Sequence, residues 1–228
     1  MTLEKKLGAL KRIYALYDQH TRHLQIACQK YCAHCCTCNV VMTSLEAANI
    51  YQALPETDRA AVRHTLAPRL AKNRYLPEIT INRMAALCAN GEAPPEEAID
   101  PGWGSCPLLE NMACPVYTVR PFGCRCLLST RDCDATGYAE IDDYTITVNY
   151  LFSQFIEHLD QDGSTGNLTD MLLAADAENG KYPPDFKALP AGCHLIQNRP
   201  IPLLLIPPAH QKDIAALVDE LHVIIAAA

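Results

Sequence analysis

The chain has 228 residues, 49% of them hydrophobic and 20% charged, with a formal net charge of −7. That length buries a core without covalent staples, and the balance is globular rather than disordered. Excess acid argues against a nucleic-acid surface, which needs Lys and Arg to displace phosphate counterions, and no run approaches the ~18 apolar residues of a membrane span.

Residues 3–27 carry Leu3, Leu7, Leu10, Ile13, Leu16, Tyr17, Leu24 and Ile26, with Lys5, Lys6, Lys11 and Arg12 on other faces, which predicts an amphipathic helix. Charges stand where a secretory signal has an apolar run, so the expected compartment is the cytoplasm. A cysteine-rich stretch follows at 28–38. Thr43-Ser-Leu-Glu46 reads as a capping box opening a helix to about Leu54. Pro55 starts the next helix, which runs toward Tyr75 and is kinked or split at Pro68. A third helix is expected from about Glu78 to Ala89, stopped by Asn90-Gly91.

Residues 91–105 read as loop, and a second cysteine-rich stretch follows at 106–133 with too much Pro and Gly for long regular structure. Residues 142–160 read as a helix with Ile146, Tyr150, Leu151, Phe155 and Leu159 inside. Residues 162–166 read as a turn, and Thr169 to Glu178 as a short helix stopped at Asn179-Gly180. A proline-punctuated stretch leads from Tyr182 to Pro208, and the last helix covers about Ala209 to Ile225. Residues 138–141 and 203–206 are the candidate strands. The expected fold is mostly α: an irregular helical domain with two cysteine-rich metal-binding loops and little β structure. Its expected parts are an N-terminal helix (1–27), a cysteine-cluster metal-binding domain (28–135) and a helical C-terminal region packed on it (136–228).

Ten of the twelve cysteines fall in those two stretches. In a reducing compartment such thiols stay free, and short spacing lets one loop wrap a soft metal. Zinc, copper(I) and iron–sulfur clusters suit thiolate; magnesium and calcium do not. Each bound sulfur loses its proton, so the site gathers negative charge. Arg120 and Arg125, flanking Cys124, are expected to balance it and orient the loop. Tyr117-x-x-Arg120-Pro121 predicts a stiff turn presenting Cys114 and Cys124 to a common centre. Adjacent Cys35 and Cys36 fit two metals, or two corners of a cluster, better than one small ion.

The pattern Cys28-x3-Cys32-x2-Cys35-Cys36, followed by Cys106-Pro-Leu-Leu and Cys114-x-Val-Tyr117-x-x-Arg120-Pro121-x-x-Cys124-Arg125, resembles the zinc- or iron-chelating CxxCxxCC proteins, the YkgJ-like cysteine-cluster family. The first spacing has three residues where that family usually has two. The resemblance covers residues 28–127. It implies Cys28, Cys32, Cys35, Cys36, Cys106, Cys114 and Cys124 as ligands of an iron–sulfur cluster or zinc. Seven thiols exceed the four that one structural zinc takes, which favours a polynuclear site. A relative in that family, flagellin lysine N-methylase, methylates protein lysines, but no glycine-rich strand–turn–helix supports S-adenosylmethionine here.

Three functions are therefore expected to compete: a metal-binding protein, a metal-dependent redox or protein-modifying enzyme, and a zinc-stabilised interaction module with a protein partner. Cys38, Cys126, Cys133 and His34 are extra candidates beside the set, whereas Cys88 and Cys193 read as structural. Trp103 is expected to pack over the second stretch. No hydrolase or phosphate-loop motif is present.

Overall fold

The computed structural model describes residues 1–29, 31–177, 180, 182–183 and 189–228. Its first half runs α1 (Leu3–Thr21), β1 (Val41–Thr43), α2 (Ser44–Ala53), α3 (Glu56–Leu66), α4 (Ile81–Ala89), α5 (Phe122–Arg125) and α6 (Cys133–Thr136). The second runs α7 (Asp143–Leu159), β2 (Ser164–Asn167), α8 (Leu168–Ala177), β3 (Leu195–Gln197) and α9 (Gln211–Ala226). Among the described residues the fold is mostly α with one small sheet, as the apolar periodicity predicts.

The described residues form two apolar cores. In the first, α1 packs on α7 and α9, burying Leu10, Ile13, Tyr17, Leu151, Phe155 and Leu221. Phe122, just ahead of Cys124, joins this core with its ring centroid 4.9 Å from Tyr17 and 5.9 Å from Phe152. Edge-on and offset ring contacts of this kind add to simple area burial. In the second core, α2 and α3 pack on α8 around Ile50, Leu66, Met171 and Leu172. Cys106, Cys114 and Cys124 lie against that second core, so the cysteine loops sit on packed structure rather than on a free end.

Most helix limits follow the local signals. Thr43 and Glu46 form the expected capping box, and α3 gives way to a 3-10 turn, Ala67–Ala71, that holds Pro68 in its first residues. The first helix stops at Thr21, short of residue 27; the Thr21 hydroxyl donates back to the Tyr17 carbonyl, and Arg22 caps the end. On α7 the expected inner stripe is partly wrong. Ile146 and Tyr150 are exposed, whereas Val148, Phe152 and Ile156 are buried. The expected stop at Asn179 lies, with Glu178, outside the described residues.

The sheet has order β1-β2-β3, all antiparallel, with Met42 opposite Gly166 and Thr165 opposite Ile196. Its central strand β2 occupies residues expected to turn. Glycine is needed there for contact rather than bending: a Cβ on Gly166 would lie 2.6 Å from the Leu195 side chain and 2.9 Å from the His194 carbonyl. The two candidate strands do not form. At 203–206 the side chain of Gln154 replaces a neighbouring strand: its amide donates to the Leu203 carbonyl and its oxygen accepts from the Leu205 N–H. At 138–141 the Glu140 carbonyl accepts from Thr130 instead.

Candidate metal centre

Cysteines from both loops meet at one cavity of about 140 Å³, lined by Cys28, Cys32, Cys35, Cys36, Cys106, Cys114 and Cys124. Backbone pairing makes the meeting possible. Cys106 N–H donates to the Cys36 carbonyl at 2.7 Å, Cys38 N–H donates to Gly104 at 2.9 Å, and Thr37 bridges Ser105. Ala27 N–H donates to the Ser129 carbonyl at 2.8 Å, tying the start of the first loop to the end of the second. The two loops, far apart in sequence, are thus zipped at one place and pinned at another.

Cys124 is positioned by a buried carboxylate. Glu46 accepts from the Phe122 N–H at 2.6 Å and the Tyr14 hydroxyl at 2.7 Å through Oε1. Its Oε2 accepts from the Thr43 N–H at 2.8 Å. One side chain therefore joins α1, the start of α2 and the first residue of α5. Gly123 lets α5 lie directly on β1, since a Cβ there would stand 2.5 Å from the Val41 carbonyl oxygen. The expected turn at 117–121 is a 3-10 turn, Tyr117–Val119, followed by Pro121 at φ −68°.

Backbone strain collects in the same loops. The non-glycine residues with positive φ among the described residues are Tyr31 (70°), Asn111 (48°) and Met112 (61°). These neighbour Cys32 and Cys114. Left-handed conformations cost energy in residues with a Cβ and persist where surrounding structure imposes them.

Burial pushes the Cys28, Cys106, Cys114 and Cys124 thiols above the usual range. The neighbouring cysteines push Cys124 the same way. Within the adjacent pair, Cys35 donates to Cys36, so Cys35 is held strongly protonated and Cys36 is lowered. Among the described residues, Arg120 is the cation that lines this cavity. Its guanidinium lies 3.8 Å from the Tyr117 ring centroid, its charge favours thiolate at Cys35 and Cys114, and its Nε is buried without an acceptor.

Arg125 departs from its expected role. It lies outside the cavity lining, with its guanidinium 3.2 Å from Asp18 and 4.3 Å from the Tyr14 ring centroid. Asp18 on α1 competes for the positive charge that Cys124 was expected to attract. Arg125 still orients the loop, since it donates to the Thr118 carbonyl at 2.9 Å.

Among the described residues, no group of three or more His, Cys, Asp or Glu side chains stands in position to hold a metal ion as the side chains lie. The lining thiols surround a void instead of converging on a point. Protonated thiols are poor ligands, and drawing them inward requires proton loss.

The extra candidates do not line the cavity. His34 pairs with Asp134 at 3.0 Å, Cys38 lines a different cavity, and Cys133 is buried in α6. Cys126 donates to the Gly123 carbonyl, and burial raises its pKa to about 12. Cys88 is exposed and Cys193 donates to the Asp170 carbonyl. Trp103 shares a cavity with Cys38 and Pro107 and does not line the one formed by the seven thiols. Sequence reading missed Glu46 as the anchor of α5; its capping-box position shows one of its tasks and hides the other. It also missed Ile26 and Leu127, apolar residues that line the cavity. No family model, curated protein or solved structure matches this chain, so the family resemblance rests on the quoted residues alone.

Proposed function

We propose that this chain is a thiolate-ligated metal protein whose two loops grip a single iron–sulfur or zinc centre. The observation that carries the reading is the lining of one cavity by seven cysteines from two distant stretches. Arg120 adds to it: a cation with an orphaned buried Nε suits a centre that supplies negative charge and sulfur acceptors. Cys28, Cys32, Cys35, Cys36, Cys106, Cys114 and Cys124 are the proposed ligands. Seven lining thiols exceed the four that one tetrahedral zinc takes, which favours a polynuclear centre over one ion.

Such a group supplies electron transfer if it is an iron–sulfur cluster, and cross-linking or Lewis acidity if it is zinc. The chain's own residues hold the two loops together, fix the backbone ahead of Cys124 through the Phe122 N–H, and place Arg120 in the cavity with the sulfurs. The reading requires reduced thiols and therefore a reducing compartment such as the cytoplasm. The test is elemental analysis of protein purified without oxygen. Wild type retains iron or zinc, Cys35→Ser and Cys114→Ser each lower the metal per chain, and Cys193→Ser does not. Equal metal in all four proteins, or none in any, contradicts it.

A second reading, recruitment or modification of a protein partner at this centre, draws on the rim. Tyr117, Ile26 and Leu127 line the cavity yet are 62%, 42% and 40% exposed. Apolar groups at the mouth of a reactive centre favour docking of another chain there.

A further inference from the structure

A second cavity, of about 560 Å³, adjoins the same zipped segments but uses none of the seven thiols. Its lining includes Arg69, Lys72, Asn73, Arg74, Cys38 and Trp103. Arg74 is fully occupied. It donates to Asp170 at 2.7 and 2.8 Å, and to the carbonyls of Leu70 at 2.8 Å, Lys72 at 3.3 Å and Gly192 at 3.0 Å. Asp170 is completely buried and its charge is spent on Arg74.

Arg74 thereby fixes the backbone of the segment that presents Arg69 and Lys72. Those two side chains have no carboxylate partner among the described residues. The nearby acid Asp100 is engaged as the cap of the 3-10 turn Pro101–Trp103, accepting from the Gly102 N–H at 2.8 Å. Among the described residues that line the cavity, Arg74 is paired with the buried Asp170, while Arg69 and Lys72 have no ion-pair partner, in a chain whose net charge is −7. Beside them stands the chain's one tryptophan, half-buried on the short turn between Gly102 and Gly104.

We propose that this cavity binds a small phosphorylated ligand with a planar ring, of the mononucleotide class. Arg69 and Lys72 take the phosphate, and Trp103 stacks on the ring. Guanidinium and ammonium groups are strong donors to phosphate oxygens. An aromatic face stacks on any base. The volume lies in the ~300–1,000 Å³ range of small-molecule sites. The fixed segment reduces the ordering cost of binding.

The proposal is independent of the metal reading, and the sole tryptophan gives its signal. Wild-type protein is titrated with adenosine monophosphate, inorganic phosphate and adenosine, followed by Trp103 fluorescence and by calorimetry. The monophosphate is expected to saturate and to bind about tenfold tighter than either fragment, with phosphate competing against it. The double substitution Arg69→Ala with Lys72→Ala is expected to weaken binding about tenfold or more while leaving the far-ultraviolet dichroism unchanged, because both side chains are exposed. Arg63→Ala, outside the cavity, leaves the affinity unaltered. Absence of saturable binding by the monophosphate overturns the proposal, as does undiminished binding in the double variant. Adenosine binding as tightly as its monophosphate removes the phosphate seat, and phosphate binding as tightly as the nucleotide removes the ring.

Discussion

Replacing Glu46 by Gln tests the idea that one buried carboxylate sets the position of Cys124. Glu46 is 2% exposed and accepts four hydrogen bonds, from the Thr43 N–H and hydroxyl, the Phe122 N–H and the Tyr14 hydroxyl. In the Gln variant one oxygen becomes a donor. Whichever way the amide turns, it faces one backbone N–H, either Thr43 or Phe122, with another N–H. An orphaned buried donor costs about 1–3 kcal/mol, and bonds to a charged group are worth about 1.5–3 kcal/mol each. The expected loss is about 3 kcal/mol against a total stability of about 5–15 kcal/mol. In urea unfolding of metal-stripped, reduced protein the midpoint should fall by about 1 M. Glu56→Gln, on the exposed first turn of α3, serves as the control and should not move it. A midpoint for Glu46→Gln within about 0.2 M of wild type would refute the role assigned to this side chain.

Gly123→Ala should cost about 1–3 kcal/mol and lower metal retention, since its Cβ meets the Val41 carbonyl at 2.5 Å. Gly8→Ala, with open space around it in α1, should instead stabilise by about 0.5–1 kcal/mol, and differential scanning calorimetry separates the two. Arg74→Lys should lose about 2–3 kcal/mol in chemical denaturation, because an ammonium cannot make the paired contact with Asp170 and reach the surrounding carbonyls; an unchanged midpoint contradicts this. Burial raises Asp160 to about 7, against about 3.9 in the unfolded chain. The folded state then keeps a proton that the unfolded state has released. Its contribution is fully present below about pH 4 and is lost as pH rises through 7. Burial shifts Glu157 in the same direction. Asp160→Asn should therefore flatten the decline in the urea midpoint between those pH values, and an unaltered slope counts against the assignment.

Short-range signals were legible where one physical cause dominates. The Thr43–Glu46 box and Pro68 mark their helix boundaries because a side-chain cap and a missing N–H act locally. The meeting of two cysteine loops was legible from thiol density, although the pairing of Cys36 with Cys106 depends on long-range backbone contacts. Strand β2 was not legible: Ser164, Thr165 and Gly166 have the composition of a turn, and only the close approach of β3 explains the glycine. The outward face of Ile146 and Tyr150 was hidden because residues 203–207 supply an apolar surface beside them that period alone does not reveal. Arg125 was misdirected by sequence proximity to Cys124; its strongest partner, Asp18, lies more than a hundred residues away.

X-ray absorption at the metal edge of anaerobically purified protein bears most directly on the thiolate centre. Sulfur scatterers at about 2.3 Å, lost in part on Cys114→Ser, are the result expected of ligands drawn from both loops. A first shell of nitrogen and oxygen alone at about 2.0–2.2 Å, or sulfur scattering untouched by that substitution, would contradict it.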